Sequence, residues 1–334
     1  MSTLPPAVTA LLESEAYPHR PPKVELVQTQ MSFVFLAGNL VYKVKKAVDL
    51  GYLDYTTLEK RRFFCHQELE LNRRLCPAAY LAVVPIADDR GVIRVEAEGR
   101  AIEYAVKMKQ LPQERMMDAL LPRGQVTLEM VTRVAQKLVS FHQRAETNQS
   151  IAAFGRLASI RQNCDENFTQ TQKYIGTSIT DRQYQRIKDY SEGFIDDNPS
   201  LFDRRIREGR IRDCHGDLHA AHVCFTGDIC IYDCIEFNDR FRYSDTASEI
   251  AFLAMDLDRY ERADLSRHLV DTYVKSSHDE ELPELLNFYK CYRAYVRGKV
   301  ESFKLDDPYI AEEEKAEVLD IARRYFRLAE SYTL

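Results

Sequence analysis

Three runs near the N-terminus concentrate β-branched and aromatic residues: VELVQTQ at 24–30, FVFLA at 33–37 and LVYKVKK at 40–46. Gly38-Asn39 separates the last two, and such a pair between β-rich runs predicts a tight hairpin turn. The pattern therefore gives three antiparallel strands, preceded by a short helix around Pro6–Leu12 and a proline-broken stretch at 17–22. Helical spacing takes over from about 57 to 76, where Phe64, Leu71 and Leu75 share a stripe and Thr56-x-x-Glu59 reads as a capping box. Two more strands follow at 80–85 and 102–108, with a turn region at Gly91, and Leu111-Pro112 ends the strand pattern. From about 113 the chain reads as mainly helical, for example at 127–143, 182–195, 246–256, 263–275 and 283–304. One island, His215 to Asp245, interrupts the helices; in it HVCF and ICIYD flank Thr226-Gly227-Asp228 as a second hairpin. The expected organisation is α+β: a small sheet-plus-helix N-terminal lobe (1–108), a connector (109–112) and a larger helical C-terminal lobe (113–334).

One position breaks the pattern in an informative way. Glu68 falls on the apolar stripe of the 57–76 helix, whereas Glu70 lies on the polar face with His66 and Arg73. A carboxylate turned into a core needs a partner, because an unpaired buried charge is expensive.

Composition narrows the classes. A length of 334 residues suits about two domains or lobes, and 45% hydrophobic with 29% charged residues excludes a largely disordered chain. The net charge of −6 argues against broad nucleic-acid binding, which needs clustered Lys and Arg. No apolar run approaches the ~18 residues of a membrane span, and the first residues lack a basic segment ahead of their short apolar stretch, so no secretory signal and a cytoplasmic location are expected. The eight cysteines contain no CxxC pair and are expected to be free thiols. Four of them lie at 214–234 with three histidines, but the paired spacing of a zinc site is missing. The twelve glycines form neither GxGxxG nor GxxxxGK[ST], which leaves a dinucleotide fingerprint and a P-loop unsupported.

The chemistry concentrates in HGDLHAAH (215–222) and the following YD at 232–233. Asp217 is followed five residues later by a ligand-type side chain, His222, and a second aspartate, Asp233, ends the next strand. Phosphoryl transfer uses such a set: one carboxylate orients the attacking hydroxyl, and further ligands hold a divalent cation against the phosphates.

These residues resemble the HGDxxxxN…D signature of aminoglycoside phosphotransferase and choline kinase-like enzymes, which share the two-lobed protein-kinase-like fold. The likeness extends over nearly the whole chain and is nearest to an uncharacterised bacterial branch with YKVKK, ELxLNRRL and IEFND, seen here at 42–46, 68–75 and 235–239. The resemblance implies an ATP-dependent kinase that moves the γ-phosphate to a hydroxyl of a small molecule. It makes Asp217 the catalytic aspartate, Asp233 a metal ligand, and Asp245 a brace for the catalytic loop. It makes Lys43 the lysine that holds the α- and β-phosphates and pairs with Glu68, with Lys45 as the alternative. Ser32 takes the place of the phosphate-covering turn, and Met108 with Gln110 leads into the adenine-binding connector. His222 stands where the family has an asparagine metal ligand; imidazole suits Mn²⁺ better than Mg²⁺, so ATP with Mg²⁺ or Mn²⁺ is the expected cofactor set.

Two other classes are compatible with the same motifs: a nucleotide-binding pseudokinase or regulatory protein, to which His222 points, and an AMP-transferring enzyme. The basic residues Arg293, Arg297 and Lys299 on the 283–304 helix read either as a solvated face or as an attraction for an anionic group. The acceptor and the oligomeric state are not written in the sequence.

Overall fold

In the computed structural model, residues 4–307 and 310–334 are described. The chain divides into two compact units, one of residues 1–116 with 222–239 and one of residues 117–221 with 240–334. The second hairpin, within residues 222–239, falls in the same compact unit as the N-terminal sheet.

The first unit is built on a six-stranded sheet in the order β1 (Val24–Gln28), β2 (Ser32–Ala37), β3 (Leu40–Lys45), β6 (Arg100–Lys109), β4 (Tyr80–Asp89), β5 (Val92–Val95), with every neighbouring pair antiparallel. β5 is a strand the sequence pattern did not give. Gly38 takes φ +68° in the β2–β3 turn, where Ala37 pairs with Leu40, a conformation that favours glycine. One sheet face buries Phe35, Tyr42, Val44, Ile86 and Ala105 against the N-terminal helix α1 (Pro6–Ala10) and the following Leu11, Ala16 and Tyr17. Helix α2 (Leu58–Arg73) packs on β4 and β6. Its N-cap is Thr57, whose hydroxyl accepts from Lys60 N at 3.2 Å; Thr56, the residue the capping-box reading chose, donates to Asp54 instead. A one-residue shift of this kind is decided by the loop that delivers the chain, not by the cap sequence.

The second unit is helical. Its expected helices run over Leu128–Arg144, Asp181–Asp197, Thr246–Arg259, Ala263–Ser277 and Leu282–Lys304. Thr180 closes a capping box with Gln183. Residues 246–257 are buried all round, which makes Thr246–Arg259 the central helix of this unit. A short antiparallel pair, Ile211–Asp213 with Tyr243–Asp245, brackets the HGD loop.

Two expectations are corrected. Cys76 and Cys230 form a disulfide across 154 residues rather than remaining free thiols; the other six cysteines are buried and outside any disulfide. Close approach of the segment after α2 to the hairpin strand Ile229–Ile231 creates the pair, and no sequence spacing announces such a contact. The stripe Arg293, Arg297 and Lys299 is not a solvated face: Arg293 is buried and the other two are half-buried. No helix among the described residues is long and apolar enough to cross a membrane.

Candidate functional site

In the first unit the structure gathers Lys43, Glu68, Asp233 and His222. Strand alternation puts Lys43 and Lys45 on one side of β3, and α2 delivers Glu68 to both. Lys43 Nζ lies 2.6 Å from Asp233 Oδ1 and 2.9 Å from Glu68 Oε1; the second contact is an ion pair off the line of a hydrogen bond. Glu68 Oε2 accepts from Lys45 at 2.8 Å, and Glu68 is fully buried. Burial alone pulls the Lys43 ammonium down, but the carboxylates of Asp233, Glu68 and Glu236 reverse this and hold it well above the usual lysine range. Burial likewise pushes Glu68 up, and the ammonium groups of Lys43 and Lys45 bring it below the ordinary glutamate value.

Asp233 sits just past the strand Ile229–Ile231 in a left-handed conformation, φ +63°, an uncommon state for a residue with a Cβ and one that turns the chain sharply. Two side chains fasten the turn: Tyr80 Oη accepts from Asp233 N at 3.3 Å, and Asn72 Oδ1 accepts from Cys234 N at 2.9 Å. Asn72 also donates to the Glu68 carbonyl, so the helix that carries Glu68 holds the loop that carries Asp233. His222 precedes the strand Val223–Phe225; its carbonyl accepts from Tyr232 N, and its Nε2 lies 3.7 Å from Asp233 Oδ2.

Sequence reasoning quoted Glu236 within IEFND but gave it no role. It is buried, accepts from Tyr55 Oη at 2.6 Å and pairs with Lys45. This leaves Lys45 enclosed by Glu68, Glu236 and Tyr55, whereas Lys43 is the lysine that meets Asp233. A second lysine two residues along the same strand was the signal that a second carboxylate had to exist.

The remaining first-unit residues are placed as follows. Ser32 opens β2 and is buried, with its Oγ unbonded and its N–H donated to Thr29 Oγ1 at 3.0 Å. Met108 is buried in β6 opposite Val41, and Gln110, exposed just past β6, donates its N–H to the Asn39 carbonyl at 2.9 Å.

Asp217 belongs to the second unit. Gly216 before it takes φ +87°. The backbone N–H groups of His215 and Gly216 both donate to Glu249 Oε1 at 2.8 Å, and Glu249 Oε2 meets His142 Nε2 at 2.8 Å. On the other side of Asp217, Ala220 N donates to Asp256 Oδ2 at 2.9 Å. Two buried carboxylates therefore hold the loop by its main chain, and Asp217 keeps a partly exposed carboxylate with His219 Nε2 3.6 Å away. The loop brace is Glu249, not Asp245. Asp245 is taken up by Arg205, at 2.8 and 2.9 Å, and by the N–H of Ala247 as helix cap. His142, Cys214 and Glu249 also lie close enough to hold a metal ion, but Glu249 is committed to the loop, His142 Nδ1 to Tyr273 Oη, and Cys214 Sγ donates to the Ser244 carbonyl.

No family model matches the chain. Uncharacterised proteins of Mycobacterium tuberculosis and Mycobacterium bovis are 32% identical over 281 residues, 84% of this chain and 55% of theirs, so the chain spans about half the length of the curated relatives it matches. Among solved structures, aminoglycoside 2′-phosphotransferase-IIIa is similar with a TM-score of 0.53 at 11% identity, covering 92% of this chain and 93% of that one. A choline/ethanolamine kinase family protein from Mesorhizobium loti gives 0.51 at 11% identity (97% and 98% covered), and a choline kinase from Streptococcus pneumoniae 0.51 at 13% (96% of each). At these identities the likeness is one of fold. The chain has the protein-kinase-like fold of choline kinases and aminoglycoside phosphotransferases, with an antiparallel sheet unit and a larger helical one.

Proposed function

We propose that the protein is an ATP-dependent phosphotransferase that moves a γ-phosphate to a hydroxyl of a small molecule. The observation that carries this is the Lys43–Glu68–Asp233 set, a half-buried lysine held by a fully buried helix carboxylate and by an aspartate at a turn fastened by Tyr80 and Asn72. A lysine fixed in this way is a prepared countercharge for phosphate oxygens. Lys45 does not compete for the role, since Glu236 and Tyr55 retain it.

The donors present fit a divalent cation: Asp233 offers a half-exposed carboxylate and His222 a ring nitrogen beside it. Asp233 and His222 would hold the metal, which supplies neutralisation of phosphate charge. Asp217, on a loop fixed by Glu249 and Asp256, orients the acceptor hydroxyl and takes its proton. Ser32 and the Met108–Gln110 segment contribute to nucleotide binding, and the enzyme works in the cytoplasm.

The test is incubation with labelled ATP and Mg²⁺ or Mn²⁺ against a library of hydroxylated metabolites, scored for phosphate transfer, phosphate release and AMP transfer, with calorimetry for nucleotide binding. ATP binding with metal-dependent phosphate transfer is expected. Absence of ATP binding with either metal overturns the reading, and transfer of AMP replaces it.

A further inference from the structure

A cavity of about 50 Å³ lies within the second unit, bordered by Asn163, Arg240, Asp245, Ser248, Tyr292 and Arg293 among others. One water takes roughly 10–15 Å³ on this scale, so the space admits several waters or one carboxylate- or phosphate-sized group. Arg293 is 7% exposed. Its Nε donates to Ser248 Oγ and its Nη1 to the Gly216 carbonyl, both at 3.1 Å, and its guanidinium carbon lies 4.8 Å from the centre of the Phe252 ring. Each of these partners is neutral. Among the described residues no carboxylate pairs with it.

The charges around Arg293 are already matched to one another. Arg240 is bidentate on Glu166. Asp245 and Asp279 share Arg205, and Arg210 reaches Asp279 at 3.9 Å. Arg293 is therefore the guanidinium left over, buried on the wall of a cavity. An uncompensated buried charge is costly, and the arginine fork is suited to carboxylate and phosphate.

We propose that this cavity binds the anionic group, carboxylate or phosphate, of a small molecule, with Arg293 as its countercharge. Arg293 also holds the carbonyl of Gly216, the residue before Asp217, so occupancy of the cavity and the set of the HGD loop depend on one side chain. The inference rests on the cavity and on Arg293, independently of the phosphotransferase reading.

The experiment is thermal unfolding of the full chain titrated with sodium phosphate and, separately, sodium acetate, each against sodium chloride at matched ionic strength. Saturable stabilisation by at least one of the two anions is expected, and which one identifies the group. Arg293→Met should weaken the response at least tenfold. Because that variant also loses a loop contact, Ser248→Asp is compared with Ser248→Asn. The aspartate places a carboxylate where Arg293 already bonds, so Ser248→Asp should melt above Ser248→Asn and no longer respond to anion. A wild-type response no different from chloride, stabilisation that survives Arg293→Met undiminished, or the reverse melting order of the two Ser248 variants overturns the proposal.

Discussion

Replacing Glu249 removes the carboxylate that holds the HGD loop by its main chain. Glu249 is fully buried, and its two oxygens accept from His215 N, Gly216 N and His142 Nε2. Burial by itself would raise its pKa, but the hydrogen bond and charge of His142, the charge of His215 and the Gly216 N–H outweigh it and hold the carboxyl at about 2 rather than the ordinary 4.5. At about 1.4 kcal/mol per tenfold change, that gap corresponds to about 3 kcal/mol of stability in the ionised state. The group is depressed on folding, so this stability is present above pH 4.5, where the unfolded carboxylate is also ionised, and is lost as pH falls toward 2. Glu249→Gln keeps the shape and one acceptor oxygen for the backbone N–H groups, and should cost about 1–3 kcal/mol at neutral pH. Glu249→Ala strands two buried N–H groups and His142 and should cost about 3–5 kcal/mol. The assay is urea denaturation followed by far-ultraviolet circular dichroism, since the chain has no tryptophan. Below pH 4.5 the gap between wild type and Glu249→Gln should narrow as the wild-type carboxylate is protonated. An alanine variant within about 0.5 kcal/mol of wild type, or a gap that widens on acidification, refutes the assignment of Glu249 as the loop brace.

Asp217→Asn should abolish phosphate transfer and leave ATP affinity nearly intact, whereas Asp233→Asn, which also removes a charge partner of Lys43, should weaken metal–nucleotide binding; calorimetry beside a transfer assay separates them, and the opposite pattern reverses the roles. His222→Ala should lower metal affinity measured in the presence of ATP, and His222→Asn, which restores an oxygen donor, should shift preference toward Mg²⁺; an unchanged affinity in the alanine variant removes His222 from the site. The Cys76–Cys230 bond closes a span of 154 residues, for which chain-entropy arguments give up to about 5 kcal/mol. Reductant should therefore lower the melting temperature of wild type and leave Cys76→Ser unaffected, and equal responses from the two proteins would show that the bond contributes nothing.

Local pattern alone determined the first hairpin, the 58–73 helix, the strand–turn–strand after the HGD loop, and the demand that Glu68 have a cationic partner. Each of these follows from short-range physics: a turn pair that takes positive φ, a period of 3.6 or 2, and the cost of a charge on an apolar stripe. Tertiary structure decided what depends on which distant segments meet. Glu236 joins Lys45 from 191 residues away, which is why two equivalent-looking lysines on β3 come to differ. Glu249 rather than Asp245 takes the loop amides, because Asp245 at the start of the central helix is claimed by Arg205, and the carboxylate one turn further on faces the loop. Cys76 meets Cys230, and Arg293 turns inward without a carboxylate, for the same reason. Pairing of buried charges and thiols is set by packing across the chain, and a linear sequence states which groups need partners without stating which ones they find.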